Sequence, residues 1–219
     1  KQICVTAGAK MACFNAILAV IEEGDEVIIP TPYWVSYPEM VKIAGGKPVL
    51  VETKESTGWK MTAEQFEAAM TPATKMVILN SPGNPTGAVM PLHEWKHLFA
   101  LSERHGFVIA SDECYSEIYF GDEPPLGALQ AAKALGRGFE RLITLTSLSK
   151  RSNVPGLRSG FVAGDDAIVK RFLLYRTYHG SAMNPAVQHA SLAAWADEAH
   201  VVTNRELYRR KFASVTPLL

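Results

Sequence analysis

Seven short runs of β-branched and apolar residues recur along the chain, and each has the length of a buried strand. The runs are QICVT, EVIIP, PVLVE, KMVIL, FVIAS, LITLTS and SGFVAG. Helix-like stretches lie between most of them, among them MACFNAILAVIEE, SYPEMVKIAG, TAEQFEAAM and PLHEWKHLFALSERHG. Thr62 and Gln65 have the spacing of a capping box at the start of the third stretch. This alternation predicts a layered α/β domain with a mostly parallel sheet.

From about residue 165 to residue 212 the pattern becomes helical, through DDAIVKRFLLYRTY and then NPAVQHASLAAWADEAHVVTNRELYRRKF. Ligands of open α/β sheets bind beyond the carboxyl ends of the strands. The segments that follow the seven strand-like runs are therefore the places where binding and catalytic residues are expected.

Composition favours a folded domain and disfavours some classes of binding partner. The chain has 219 residues, of which 47% are hydrophobic and 20% charged, enough apolar material for a core of its own. Lys and Arg total 22, as do Asp and Glu, so a net charge of zero gives no long-range attraction to nucleic acid or an acidic membrane surface. The three cysteines lack CxxC spacing, which favours reduced thiols and a cytoplasmic location. No apolar run is long enough to span a bilayer.

The ends of the sequence do not resemble natural domain boundaries. It opens directly on the strand-like QICVT and stops at SVTPLL, soon after a long helical stretch. We therefore expect a fragment of a longer protein.

Two short motifs match other enzyme classes but lack the context those classes require. HEWKH fits the zinc-protease pattern, yet helical periodicity places His93 and His97 on the polar half of their helix, opposite Trp95 and Leu98. We therefore expect no metal site. SLSK fits the nucleophile signature of penicillin-recognising serine enzymes, but S-D-N and K-T-G are missing and the motif is expected to end a strand instead of opening a helix.

The strand ends carry a more consistent set of residues. TAGAK is a small-residue turn opening a helix, whose free backbone N–H groups at Gly8, Ala9 and Lys10 suit a phosphate. The later strand ends offer aromatic rings, a restricted Asn/Gly/Pro turn with a candidate cis Asn84–Pro85 bond, an acid and a lysine. The residues concerned are Tyr33, Trp34, Asn84, Asp112, Tyr115, Ser147, Lys150 and Arg158.

One ligand requires all of these groups together. Pyridoxal 5'-phosphate is a planar ring with a phosphate, an aldehyde that reacts with lysine and a ring nitrogen that works when protonated. The set predicts a site for this cofactor.

PYW, NPTG, SDECY and SLSK…LRSGF occur in the order and approximate spacing of one family. On these motifs the chain resembles the fold-type I pyridoxal-phosphate aminotransferases of class I and II along essentially its whole length. The resemblance implies the family's three-layer α/β/α large domain, with a seven-stranded and mostly parallel sheet. It implies a cofactor-binding large domain over residues 1–195, and a helix over residues 196–219 that leads toward a C-terminal small domain largely absent from this sequence.

The resemblance also implies roles for individual residues. Lys150 bonds the cofactor covalently, and Asp112 pairs with the pyridine nitrogen. Tyr115 and Asn84 hydrogen-bond the phenolic oxygen of the ring, and Trp34 stacks on its face. These assignments make Lys150, Asp112 and Tyr115 the expected catalytic residues.

The remaining assignments concern the phosphate. The resemblance implies that Gly8, Ala9, Lys10 and Ser147 surround it, and that Arg158 pairs with its charge. The neighbouring Arg151 has no assigned role and is expected to face solvent.

The implied reaction moves an amino group from an amino acid to a 2-oxo acid, with 2-oxoglutarate and glutamate as the expected pair. PTPYWVSYPEMVKIAGGKPVLVET resembles bacterial aspartate aminotransferases, whereas the C-terminal two thirds resemble succinyldiaminopimelate aminotransferases of lysine biosynthesis. The longer match favours N-succinyl-L,L-diaminopimelate, with aspartate as the alternative. The resemblance also implies a homodimer.

Two departures from the family keep other functions open. The family's arginine for the substrate α-carboxylate lies C-terminal to the whole sequence, and the N-terminal segment that helps to close the site is also missing. The alternatives are a cofactor-binding core without turnover and a pyridoxal-phosphate-dependent lyase, because the cofactor residues alone do not fix the reaction.

Overall fold

The computed structural model describes residues 2–179 and 182–218, which contain a single seven-stranded sheet. Each of the predicted runs forms a strand. The strands are β1 (Ile3–Thr6), β2 (Glu26–Thr31), β3 (Lys47–Glu52), β4 (Thr74–Asn80), β5 (Val108–Asp112), β6 (Leu142–Ser147) and β7 (Gly160–Gly164).

The strands lie in the order β1-β7-β6-β5-β4-β2-β3. The pairs β2–β3, β2–β4, β4–β5 and β5–β6 are parallel, while β7 runs antiparallel to both of its neighbours, β1 and β6. The prediction of a mostly parallel sheet is therefore confirmed. One edge of the sheet collects the carboxyl ends of the parallel strands together with the start of β7.

Helices cover both faces of this sheet. They are α1 (Ala9–Val20), α2 (Ser36–Ile43), α3 (Ala63–Ala69), α4 (Leu92–His105), α5 (Ala128–Ala134), α6 (Leu148–Arg151), α7 (Asp166–His179), α8 (Pro185–Ala196) and α9 (Ala199–Val215).

Successive side chains of a strand point to opposite faces of the sheet, so the core forms two clusters, one on each face. Ile78 of β4 packs with α1, α2 and α7, whereas its neighbours Val77 and Leu79 pack with α3, α4 and α5 on the opposite face. Phe66 and Trp95 are fully buried in the second cluster, and burial of such a side chain contributes about 1.5–3 kcal/mol. The sheet between two helical layers gives the predicted α/β/α architecture.

Two local predictions are confirmed, the capping box of the third helix and the solvent-facing position of two histidines. Gln65 N–H donates to Thr62 Oγ1 at 3.3 Å and Thr62 N–H donates to Gln65 Oε1 at 3.0 Å, which completes the capping box. His93 and His97 are exposed while Trp95 is buried.

Within residues 2–179 and 182–218, no three His, Cys, Asp or Glu side chains are placed to share a metal ion. In the same residues no helix is long and apolar enough to cross a membrane.

Two helices were not predicted, and the C-terminal helical stretch is broken at Asp197. Helix α5 is alanine-rich and buries Ala128, Ala131 and Ala132 completely, so its sequence shows no clear alternation of polar and apolar faces. Helix α6 is a single turn, too short for a periodic pattern. Ser147 caps α6 by accepting a hydrogen bond from Ser149 N–H at 3.3 Å. The SLSK motif therefore ends strand β6, as predicted, but it also opens a helix, and the prediction that it does not open one is wrong.

Arg151 is also placed differently from the expectation that it faces solvent. Its side chain is only 6% exposed and forms ion pairs with Glu198, at 2.5 Å, and with Glu117, at 3.7 Å. Its guanidinium carbon lies 5.1 Å from the centroid of the Trp195 ring. Because α8 and α9 fold back over α6, Arg151 becomes a buried connection between these helices.

Candidate active site

A cavity of about 230 Å³ opens at the edge where the parallel strands end. All of the predicted cofactor residues line it except Gly8, which lies directly behind Arg158. Loops after β1, β2, β4, β5 and β6 supply most of the wall, and the segment before β7 supplies Arg158. Residues far apart in sequence are thus brought together because their strands end at the same edge. The full lining is Ala9, Lys10, Trp34, Tyr37, Asn80, Asn84, Asp112, Cys114, Tyr115, Ser147, Ser149, Lys150, Pro155 and Arg158.

Helix α1 begins at one end of the cavity. Gly8 is its N-cap, so the N–H groups of Ala9 and Lys10 belong to the first turn and have no acceptor within the helix. Such a helix start attracts anions. The N–H of Gly8, however, donates to the Thr6 carbonyl at 2.8 Å. The prediction that the Gly8 N–H is free is therefore wrong, and Gly8 contributes space in place of a hydrogen bond.

Arg158 lies against this helix start. Its Nη1 donates to the Pro155 carbonyl at 2.9 Å and its Nη2 to the Ala7 carbonyl at 3.4 Å. A Cβ on Gly8 would lie 2.5 Å from Arg158 Nη2 and 2.9 Å from Arg158 Cζ, and Gly8 has a φ of 87°. Only glycine suits both the backbone conformation and the close guanidinium. Ser147 Oγ adds a hydroxyl to the same cavity.

We predict that Gly8→Ala weakens binding of a phosphate-bearing ligand while the fold persists. The new methyl group must displace the guanidinium of Arg158 and also strains the positive φ, which costs on the order of 1–3 kcal/mol. Fluorescence titration with pyridoxal phosphate should give roughly a tenfold or larger increase in Kd. Gly87→Ala is the matched control, since Gly87 also has a positive φ, of 72°, but no atom lies within 4 Å of the added Cβ. Equal losses from the two variants would contradict the role given to Gly8.

Asp112, the last residue of β5, has a buried carboxylate in the cavity wall, with 6% exposure for the residue. Tyr37 Oη donates to its Oδ2 at 2.7 Å and Cys114 N–H donates to its Oδ1 at 3.1 Å. Among the residues described, no Lys, Arg or His forms an ion pair with it. A buried carboxylate in this setting favours a cationic ligand group.

Lys150 and Tyr115 lie on the side of the cavity nearest to α6. The Nζ of Lys150 is 5.8 Å from the centroid of the Tyr115 ring. Asn204 Nδ2 donates to the Lys150 carbonyl at 3.1 Å, which ties the backbone of α6 to α9. Burial raises the pKa of the Tyr115 phenol, and the neighbouring Cys114 and Asp112 raise it further. Tyr115 therefore keeps its proton at neutral pH and can donate a hydrogen bond.

Trp34 forms the aromatic part of the wall. Its ring meets that of Tyr37 edge to face, with centroids 5.3 Å apart and an interplanar angle of 82°. The Nζ of Lys10 lies 5.0 Å from the Trp34 ring centroid. Lys10 thus presents its backbone N–H at the start of α1 while its ammonium group lies over the indole.

Asn84 reaches the cavity from the turn after β4. Its backbone N–H donates to Asn80 Oδ1 at 2.6 Å, and its peptide bond to Pro85 is cis, as predicted. Asn80 Nδ2 in turn donates to the Asp112 carbonyl at 2.9 Å. Asn80 therefore fixes the turn that carries Asn84 against the end of β5.

Sequence reasoning missed several lining residues, among them Tyr37 and Asn80. Asn80 stands at the end of a predicted strand, so the strand-end rule alone would have found it. Tyr37 follows Trp34 by three residues, which brings both to the same side when a helix begins there. The sequence shows no strand end at Tyr37, and only the fold shows that it reaches Asp112.

The residues present fit pyridoxal phosphate. A helix start with an arginine suits the phosphate, and an indole suits the ring face. A buried carboxylate that pairs with no cation among the described residues suits a protonated ring nitrogen. A lysine amine completes the set.

Comparisons with known proteins agree with this interpretation. The family model "Aminotransferase class I and II" matches residues 1–219. The chain is 39% identical over 195 residues to the aspartate aminotransferase of Geobacillus stearothermophilus, covering 89% of this chain and 49% of that protein. It is also 39% identical to the aspartate/prephenate aminotransferase of Cereibacter sphaeroides, covering 100% of this chain and 54% of that protein.

Among solved structures, an aminotransferase from Neisseria meningitidis superposes with a TM-score of 0.92 at 45% identity, covering 99% of this chain and 55% of that one. The chain spans about half the length of the relatives it matches. The match to the family model nevertheless extends over the whole sequence, and the chain belongs to the class I and II aminotransferases, which depend on pyridoxal phosphate.

Proposed function

We propose that this chain carries the cofactor centre of a transaminase that exchanges an amino group between an amino acid and a 2-oxo acid. The observation that carries the proposal is the convergence of Lys150, Asp112 and Arg158 on one cavity. Each of the three suits a different group of pyridoxal phosphate: the aldehyde carbon, the ring nitrogen and the phosphate. Their separation in sequence makes a chance arrangement a poor explanation.

The residues divide the work by position. The start of α1, Ser147 and Arg158 hold the phosphate, and Trp34 covers one face of the ring. Tyr115 and Asn84 donate hydrogen bonds to the phenolic oxygen. When bound, pyridoxal phosphate supplies a ring that takes up the electron pair left on the substrate Cα. Asp112 would hold the proton on the ring nitrogen. Lys150 Nζ, once the amine of the incoming amino acid has displaced it from the aldehyde carbon, would be the free base that takes the proton from the substrate Cα.

We infer aspartate as the first candidate for the amino donor. Its support is the names of the relatives, which include aspartate and aspartate/prephenate aminotransferases at 39% identity. N-succinyl-L,L-diaminopimelate, and with it lysine biosynthesis, remains the second candidate. Its support is the resemblance of the C-terminal two thirds of the sequence to enzymes that use that substrate.

The decisive test is a paired half-reaction. The chain, loaded with pyridoxal phosphate, is mixed in stoichiometric amounts with aspartate or with N-succinyl-L,L-diaminopimelate, and the released 2-oxo acid is measured. We expect faster release from aspartate. Faster release from the succinylated donor would assign the second substrate, and ammonia release without amino transfer to 2-oxoglutarate would favour a lyase. Covalently bound cofactor with no release from any donor would favour a cofactor-binding core without turnover.

Self-association and cellular location belong to the same proposal. Leu173, Leu174 and Tyr178 are exposed large apolar residues on α7, which supports a homodimer. The free cysteines Cys4, Cys13 and Cys114 support a reducing, cytoplasmic location. Small amino and 2-oxo acids are the expected partners, and neither nucleic acid nor a membrane is expected.

A further inference from the structure

Tyr37 is the buried side chain that joins the two ring-contacting parts of the cavity. It lies in the first turn of α2, is 2% exposed and packs in the core cluster that includes Cys13 and Ile78. Its Oη donates to Asp112 Oδ2 at 2.7 Å, and its ring meets that of Trp34 edge to face. A single residue thus contacts both the carboxylate proposed for the ring nitrogen and the indole proposed for the ring face.

The direction of this hydrogen bond is fixed. Burial raises the pKa of the Tyr37 phenol well above its ordinary value, and the nearby charge of Asp112 raises it further. The phenol therefore stays protonated, and Tyr37 donates while Asp112 accepts. A neutral donor bound to a carboxylate stabilises the ionised form of that carboxylate.

The carboxylate is held from two sides. Tyr37 binds Oδ2 and the backbone N–H of Cys114 binds Oδ1, so the two donors fix the plane of the group. The Tyr37 backbone is itself fixed, because its N–H donates to the Trp34 carbonyl at 3.1 Å. A carboxyl group can accept more than one hydrogen bond on each oxygen. Asp112 is therefore preorganised and still able to accept from a ligand.

We propose that Tyr37 is a positioning residue that keeps the proton shared by Asp112 and the cofactor on the ring nitrogen. This inference rests on the proposed function, because it needs pyridoxal phosphate at this site. Without the phenol, the buried carboxylate loses a charge-assisted hydrogen bond, and the proton moves toward Asp112. The ring then accepts the electron pair from the substrate Cα less well. A residue that only fills the core would leave the position of the proton unchanged.

The test uses pyridoxal phosphate isotopically labelled at its ring nitrogen and bound to the chain. Nitrogen NMR reports whether that atom is protonated, and Asp112→Asn gives the signal of the unprotonated ring. We expect Tyr37→Phe to move the signal from the wild-type position toward that of Asp112→Asn, and to slow exchange of the substrate Cα proton by roughly tenfold or more, the loss expected for a hydrogen bond to a charged group. Tyr175 is half-buried on α7, outside the cavity lining, and its Oη lies 3.2 Å from His179 Nδ1. The control Tyr175→Phe should therefore match wild type.

The outcomes separate the two proposals. A wild-type signal in Tyr37→Phe, with the cofactor bound and the thermal unfolding midpoint unchanged, overturns the role of Tyr37 and leaves the proposed function intact. A wild-type chain that does not bind the labelled cofactor, or binds it with an unprotonated ring, overturns the proposed function and the inference with it. If Tyr37→Phe does not fold, Cys114→Pro tests the second donor: it removes the N–H that binds Oδ1 and should move the signal in the same direction, and an unmoved signal would overturn the proposal.

Discussion

Lys150→Ala is expected to abolish covalent attachment of the cofactor and to slow amino transfer by about 10²–10⁴-fold, the range for loss of a positioned acid–base group. Lys150 contributes a lysine amine to the cavity that also holds Asp112 and Arg158, and its backbone is tied to α9 through Asn204. The phosphate-binding residues remain in the variant, so pyridoxal phosphate should still bind without a covalent bond. Borohydride reduction followed by mass spectrometry of the peptides measures the attachment.

The controls for this experiment are other lysines. Lys170→Ala removes an exposed amine from α7, outside the cavity lining, and should leave labelling and rate at wild-type values. Lys10→Ala removes the second lysine of the cavity. It should weaken binding without removing the label, because the Lys10 ammonium lies over Trp34. Label that persists in Lys150→Ala, or that is found on the peptide carrying Lys10, would contradict the assignment of Lys150.

The sheet could be predicted from sequence because its signal is local. Each strand is an apolar run between turn residues, and β4 to β6 are buried on both faces, so their sequences carry no competing polar pattern. Helix α6 was not predicted because a single turn has no periodicity. Helix α5 was not predicted because alanine occurs on both its buried and its exposed side. Local pattern therefore predicts long elements and misses short or uniform ones.

Part of the candidate site could also be predicted from the sequence, because some of its residues lie where predicted strands end. Residues at or shortly after the ends of strands, such as Asp112 and Trp34, follow from the rule that strand ends converge. Tyr37 and Arg151 do not follow from it, because their roles depend on contacts 75 and 47 residues away in sequence. The engaged N–H of Gly8 also depends on the turn geometry and not on the residue type. What sequence reasoning lacked was the packing of one element on another.

Asp112→Asn is expected to leave Lys150 attached to the cofactor but to slow exchange of the substrate Cα proton by about 10²–10³-fold, the range for loss of one preorganised electrostatic group in an active site. The amide has the shape of the carboxyl group: its oxygen can accept from Cys114 N–H and its NH2 can donate to the Tyr37 oxygen, so the fold and the cavity are kept. It carries no negative charge, however, and does not hold a proton on the ring nitrogen. Exchange of deuterium into the donor amino acid measures the rate.

Two further measurements separate this role from a structural one. A purely structural Asp112 predicts a lower thermal unfolding midpoint and normal exchange, whereas the electron-sink role predicts slow exchange at an unchanged midpoint. In the double variant Asp112→Asn/Tyr37→Phe, removal of the phenol should slow exchange no further, because Tyr37 acts through the charge that Asp112 has already lost. Additive losses would mean that Tyr37 affects the reaction by another route. Near-normal exchange in Asp112→Asn would assign the ring nitrogen to a different partner.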